Sequence, residues 1–214
     1  MLTTALANLS IRNPAECNLI TPVLDQASQV LLVTAASPGE GTTTSSLALA
    51  NELALTTGDR VLLIDSSLSA NGITETQALT SRLGFLDLLL SIKPPGLIDC
   101  IVQSSNVSFD FLPLGQGDLH KQRLNIDPLQ KLFRTLIKEY RFVIIDGDPV
   151  YGNDDTLTLS SQVDAVVLVV CGEKTSWEVA QSAMQRLTQA QARLMGCIFN
   201  RRKHYIPQWI VDRI

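Results

Sequence analysis

The chain reads as a doubly wound α/β protein, a mostly parallel sheet with helices on both faces. Three observations predict it. Apolar runs of strand length alternate with segments of helical period. Most of those runs are continuously apolar rather than alternating, as strands covered on both faces are. The glycines and aspartates that stand out follow directly after the runs, where open α/β sheets bind their ligands. With 214 residues and 45% hydrophobic content, one compact domain, 1–214, can bury a sizeable core.

Taken in order, residues 1–28 have weak periodicity and form an N-terminal segment with no assigned element. The first strand is 30–35, ending at the run Ala36-Ser37-Pro38-Gly39-Glu40-Gly41-Thr42-Thr43-Thr44. A helix starts near Thr42 and stops near Gly58, a left-handed C-cap candidate. The second strand, 61–64, leads into Asp65. A third strand is read at 109–112. Asp127 and Pro128 read as the N-cap and first turn of a helix whose apolar stripe is Leu129, Leu132, Phe133, Leu136 and Ile137. The fourth strand, 142–145, leads into Asp146 and Asp148, and the fifth spans 165–170. Thr175 with Glu178 reads as a capping box for a helix through Val179, Ala183 and Leu187. The last strand, 194–199, ends at Asn200.

Composition excludes several functions. A net charge of −4 without a basic stripe argues against a nucleic-acid binder. Cys17, Cys100, Cys171 and Cys197 are isolated from one another and from His120 and His204, so they read as buried free thiols and not as a zinc site. The first residues lack the charged and apolar regions of a signal peptide. No apolar run approaches the ~20 residues that span a bilayer. The expected location is the cytoplasm, with any association with the inner membrane made through a partner and not by insertion.

The glycine run is the main functional signal. Gly39 and Gly41 permit backbone conformations closed to other residues, so the amides of Gly39, Glu40, Gly41, Thr42, Thr43 and Thr44 can turn inward around an anion. The helix that follows adds its positive end. Thr43 fills the Ser/Thr position of the G-x-x-x-x-G-K-[ST] phosphate loop, where it would ligate Mg²⁺. Ala36 fills the first glycine position and Thr42 the lysine position. An ammonium ~4 Å from a phosphate oxygen contributes ~4 kcal/mol at an effective dielectric of 20, so ATP or ADP is expected to bind weakly. No substitute cation is evident nearby; the first lysine is Lys93. A dinucleotide site is the rival reading, since Gly39 to Thr44 fits G-x-G-x-x-T with Asp65 downstream. The third small residue is missing, however, and three residues separate strand from glycine, so NAD is not expected.

At these residues the chain resembles the cytoplasmic catalytic domain of the bacterial tyrosine autokinases, P-loop NTPase-like proteins related to the MinD/ParA ATPases. The similarity spans roughly residues 25–203. "SPGEG" resembles their Walker A loop, "VLLIDSSLS" their second acidic motif, "RFVIIDGDPV" their Walker B strand and "GCIFNRRKHY" their last strand. The resemblance implies that Thr43 and Asp146 serve Mg²⁺, that Asp65 acts on a tyrosine hydroxyl or on Mg²⁺, and that Asn200 meets adenine. It also implies a membrane polysaccharide co-polymerase as partner, with self-association left open.

The departures point away from full activity. Thr42 replaces the lysine, Ser67 the second aspartate, Ser69 the arginine, and Asp148 a proline. The C-terminal tyrosine cluster is missing, and the only tyrosines are Tyr140, Tyr151 and Tyr205. The oligomerising Glu-x-x-Arg-x-x-Arg helix has no match near Glu16. The aromatic tail 204–214, with Tyr205, Ile206, Trp209 and Ile210, is either a terminal helix docked on the domain or a docking segment for a partner. The expectation is a catalytically impaired relative that acts as a cytoplasmic regulatory partner in exopolysaccharide synthesis or export. The alternatives are an active kinase or ATPase with a cation supplied in trans, and a MinD/ParA-like positioning ATPase. The last is weakened by Ser37 at the signature-lysine position.

Overall fold

The computed structural model describes residues 23, 28–68, 72–103, 107–117 and 123–201. The N-terminal segment apart from residues 23 and 28, with Cys17, and also Ser69, His120 and the aromatic tail expected from the sequence lie outside the described residues.

Six strands form one sheet: β1 (Gln29–Ala35), β2 (Val61–Asp65), β3 (Asp110–Leu112), β4 (Phe142–Asp146), β5 (Ala165–Cys171) and β6 (Leu194–Asn200). Their spatial order is β3-β2-β4-β1-β5-β6, and every pairing between them is parallel. All six strands read from the sequence are present within one or two residues. The four central strands are predominantly apolar, and every residue of β1, β2 and β4 is buried. This explains why their sequences do not alternate: helices or other cover lie on both sides.

The faces nevertheless segregate with period two. Leu32, Leu62, Ile64, Val143, Ile145 and Leu168 point to one face. That face is covered by α3 (Phe85–Leu90), α5 (Ile126–Leu136), α6 (Asp154–Ser160) and α7 (Trp177–Gln189), which contribute Phe85, Leu129, Phe133, Leu159 and Leu187. Leu31, Val33, Leu63, Ile144 and Val167 point the other way, against Leu49, Ala50 and Leu53 of α1 (Thr42–Thr57). Two single-turn helices, α2 (Ile73–Thr76) and α4 (Leu97–Cys100), punctuate the long β2–β3 connection.

Three sequence expectations are corrected. Helix α5 starts at Ile126 after Asn125, so Asp127 lies in its first turn and is not its cap; Ile137 ends the stripe exposed. Helix α7 is capped by Ser176, whose hydroxyl accepts from the Val179 amide at 3.4 Å, because Thr175 is engaged elsewhere. Cys197 is exposed, since β6 is an edge strand, while Cys100 and Cys171 are buried as expected. Gly58 is the left-handed C-cap of α1, with φ 70°, as the sequence indicates.

Candidate nucleotide site

The carboxyl ends of β1, β2, β4 and β6 meet around a cleft of about 900 Å³. Its main wall is the turn from β1 into α1. Gly39 and Gly41 both adopt positive φ, 75° and 97°. Gly41 must be glycine for a second reason: a Cβ there would stand 2.0 Å from Asn200 Nδ2. The turn is braced by Glu40, whose side chain is buried. Its Oε2 accepts from the Ala36 amide at 3.1 Å, and its Oε1 accepts from the Thr175 hydroxyl at 2.7 Å. The carboxylate therefore folds back to hold the loop and does not face the cleft.

The first intrahelical bond of α1 runs from the Ser45 amide to the Gly41 carbonyl. The amides of Thr42, Thr43 and Thr44 thus have no helical acceptor, and no side chain caps the terminus. Glycine cannot cap, and no Asp or Ser replaces it. All three threonines line the cleft with Gly39 and Gly41. An uncapped helix end facing a cavity suits an anion.

Asn200 donates from Nδ2 to the Glu40 carbonyl at 2.9 Å and accepts the Arg201 amide on Oδ1 at 2.9 Å. It ties β6 to the loop, and Arg201 next to it lines the cleft. Lys174, from the turn between β5 and α7, reaches the same loop. Its Nζ donates to the Pro38 carbonyl at 2.5 Å and lies 3.1 Å from where a Gly39 Cβ would stand. Sequence reading missed it, since Lys174 is far from the loop along the chain. The signal was present: the strand–turn–helix that carries Lys174 follows β5, the strand paired to β1.

Three aspartates lie at the base. Asp65 and Asp146 sit side by side in register at the ends of β2 and β4, both with no exposed surface. Asp65 accepts the Thr74 amide on Oδ2 at 2.7 Å and the Ser67 amide on Oδ1 at 3.1 Å, so it closes the β2 turn. Burial pushes its pKa up against those bonds. Asp146 is pushed up to about 7, by burial first and by the neighbouring Asp65 charge second; the Thr43 and Ser46 hydroxyls pull it back. Its Oδ1 accepts from Ser46 at 2.9 Å, while its buried Oδ2 has no partner among the described residues. Asp148 lines the cleft, as Asp155 does farther along the chain. Asp148 accepts from the Ser67 hydroxyl at 2.7 Å and from the Leu68 amide at 3.1 Å. Gly147 between them has no room for a Cβ, which would meet Leu32 Cδ1 at 2.7 Å.

These residues fit Mg²⁺ in one respect. The orphaned Oδ2 of Asp146 beside Thr43 is the kind of buried acceptor that a cation, or a water on it, satisfies. Among the described residues, no group of three or more His, Cys, Asp or Glu side chains is placed to hold a metal ion. Thr43 and Asp146 would therefore hold Mg²⁺ together with phosphate oxygens, and the ion would neutralise phosphate charge there.

An all-parallel sheet with a glycine loop, an uncapped helix and an aspartate on the adjacent strand defines a P-loop NTPase-like protein. The family described as "AAA domain" matches residues 28–198, and the chain belongs to it. Among curated relatives, the tyrosine-protein kinase YwqD of Bacillus subtilis (strain 168) is 28% identical over 181 residues, covering 84% of this chain and 75% of YwqD. The putative tyrosine-protein kinase EpsB of Ralstonia nicotianae is 27% identical over 178 residues, covering 82% of this chain but 23% of EpsB. The chain thus spans three quarters of one relative and about a quarter of the other. Among solved structures, the VpsO kinase domain superposes with a TM-score of 0.73 at 28% identity, covering 87% of this chain and 93% of that one. MinD of Aquifex aeolicus shares the fold, with a TM-score of 0.64 at 22% identity over 87% of this chain and 72% of MinD. The homologues are bacterial tyrosine-protein kinases, on the MinD/ParA-like fold. No described helix is long and apolar enough to cross a membrane.

Proposed function

We propose that the chain is a tyrosine-autokinase relative with impaired phosphoryl transfer. It binds nucleotide weakly and acts as a regulatory partner at the cytoplasmic end of a membrane polysaccharide co-polymerase. One observation carries the reading: a threonine hydroxyl stands where the phosphate loop requires an ammonium, on a loop that keeps its Gly39–Gly41 turn and its uncapped helix end. Phosphoryl transfer depends on positioned charge, so a missing cation lowers the rate of chemistry more than it disturbs the fold. Two further features support it. Ser67 replaces a carboxylate, and the Asp65 oxygens are occupied by the amides of Ser67 and Thr74. Among the described tyrosines, Tyr140 is buried and only Tyr151 is exposed enough to accept phosphate.

The partner is tested by titrating the full chain onto liposomes that carry a purified polysaccharide co-polymerase. Saturable binding that persists without nucleotide, and that survives Asp146→Ala, is expected. Binding no greater than to protein-free liposomes of the same lipid contradicts the reading.

A further inference from the structure

We propose that Lys174 supplies, in the same chain, the positive charge that Thr42 fails to supply, and that the cleft holds the diphosphate group of a nucleotide between Lys174 and the amides of α1. The proposal rests on the reading of the cleft as a nucleotide site.

Four observations meet at this point. The Lys174 ammonium lies against Gly39, the first residue of the amide run, and donates to the Pro38 carbonyl at 2.5 Å. Its backbone is held in a tight turn at the end of β5. The amides of Lys174 and Thr175 both donate to the Cys171 carbonyl, at 3.2 and 3.0 Å, and Glu173 takes a left-handed φ of 62° to close the turn. The Thr175 hydroxyl then bonds Glu40 inside the phosphate loop at 2.7 Å. The residue next to Lys174 is therefore fastened to the loop that Lys174 overhangs. Independently, the buried Asp146 Oδ2, beside Thr43 at the head of α1, has no hydrogen-bond partner among the described residues, as at a site that takes a ligand.

The chemistry follows from the competition for the ammonium. A neutral carbonyl is a weaker acceptor for the ammonium than an anionic phosphate oxygen, which adds ion pairing to the hydrogen bond. An arriving phosphate displaces Pro38 as the partner of Nζ. The lysine stem is flexible enough to follow it, and the turn that carries it is already ordered, so little freedom is lost on binding. Lys174 comes from β5 instead of the head of α1. It reaches the loop at Pro38 and Gly39, whereas Thr43 and Asp146 meet at the head of α1. Such a cation holds bound phosphate better than it tracks charge moving toward an acceptor, which agrees with the proposed reading of weak binding and impaired transfer.

The test is calorimetric titration of Mg-ADP into the full chain at fixed pH and salt. The proteins are wild type, Lys174→Gln, Lys174→Arg, Arg201→Gln, Thr42→Lys and the double variant Thr42→Lys/Lys174→Gln. Glutamine keeps a donor for Pro38 but removes the charge, so it separates a phosphate contact from a loop clamp. Lys174→Gln is expected to weaken binding at least tenfold with an unchanged melting temperature. Lys174→Arg is expected to stay within threefold of wild type, and the double variant to recover wild-type affinity. Lys174→Gln binding as wild type overturns the proposal, as does loss of affinity in Arg201→Gln alone. Binding by Thr42→Lys but not by wild type also overturns it, while leaving the nucleotide site standing. Absence of binding in every protein, Thr42→Lys included, removes the nucleotide site itself.

Discussion

Gly41 is under two constraints at once. Its φ of 97° is strained for any residue with a Cβ, and that Cβ would overlap the Asn200 amide. Gly41→Ala is expected to cost about 2 kcal/mol or more of unfolding free energy, through left-handed strain and displacement of Asn200. Denaturant unfolding checks this, and a change below about 0.5 kcal/mol would show that the loop rearranges freely. Asp146 carries a pH signature. Its folded pKa of about 7 lies above the unfolded carboxylate value of 3.8. The folded state thus binds more protons than the unfolded chain between these values. Its contribution is complete below about pH 4 and is lost as pH rises through about 7. Asp146→Asn removes the group, so the loss of stability between pH 5 and pH 8 is expected to be smaller in the variant by a few kcal/mol. Equal losses in both proteins would show that Asp146 is ionised throughout.

At the scale of elements, the loop and the β5–α7 turn form one unit through Glu40 and Thr175. Glu40→Ala strips two donors of their acceptor, the Ala36 amide and the Thr175 hydroxyl. It is expected to cost about 1–3 kcal/mol. Thr175→Val made in the Glu40→Ala background should then add much less than it does alone, and strict additivity in unfolding experiments would deny the coupling. This unit also shows what the sequence conveys and what it hides. The strand cores, the glycine turn and the Gly58 stop are written in local pattern, because continuous apolar runs and left-handed glycines have few other uses. Glu40 reads as a loop residue at the ligand, yet its side chain is buried, since its partner Thr175 becomes a neighbour only once β1 and β5 pair. Thr175 reads as a cap for the same reason, and the cap passes to Ser176. The short helices α2, α3 and α4 have too few turns to show a period, and none was read from the sequence. The position of Lys174 depends wholly on β5 lying beside β1.

For the molecule as a whole, α1 and the β4 aspartate are set by the central sheet, and they persist whether or not the chemistry does. The buried faces of β1, β2 and β4 hold the cleft open from beneath, so losing one cation leaves the scaffold intact. Thr42→Lys is accordingly expected to raise Mg-ATP affinity by roughly 10- to 1,000-fold, the effect of returning a few kcal/mol of charge contact, without altering the fold. An unchanged affinity would place the weakness elsewhere in the cleft.

Transfer of radiolabelled phosphate from Mg-ATP, to the chain itself and to a tyrosine-containing peptide, tests the central claim most directly. Label at the level of a protein-free control is expected in wild type. Label that accumulates with time on Tyr151 or on the peptide, and disappears in Asp65→Ala, would contradict it.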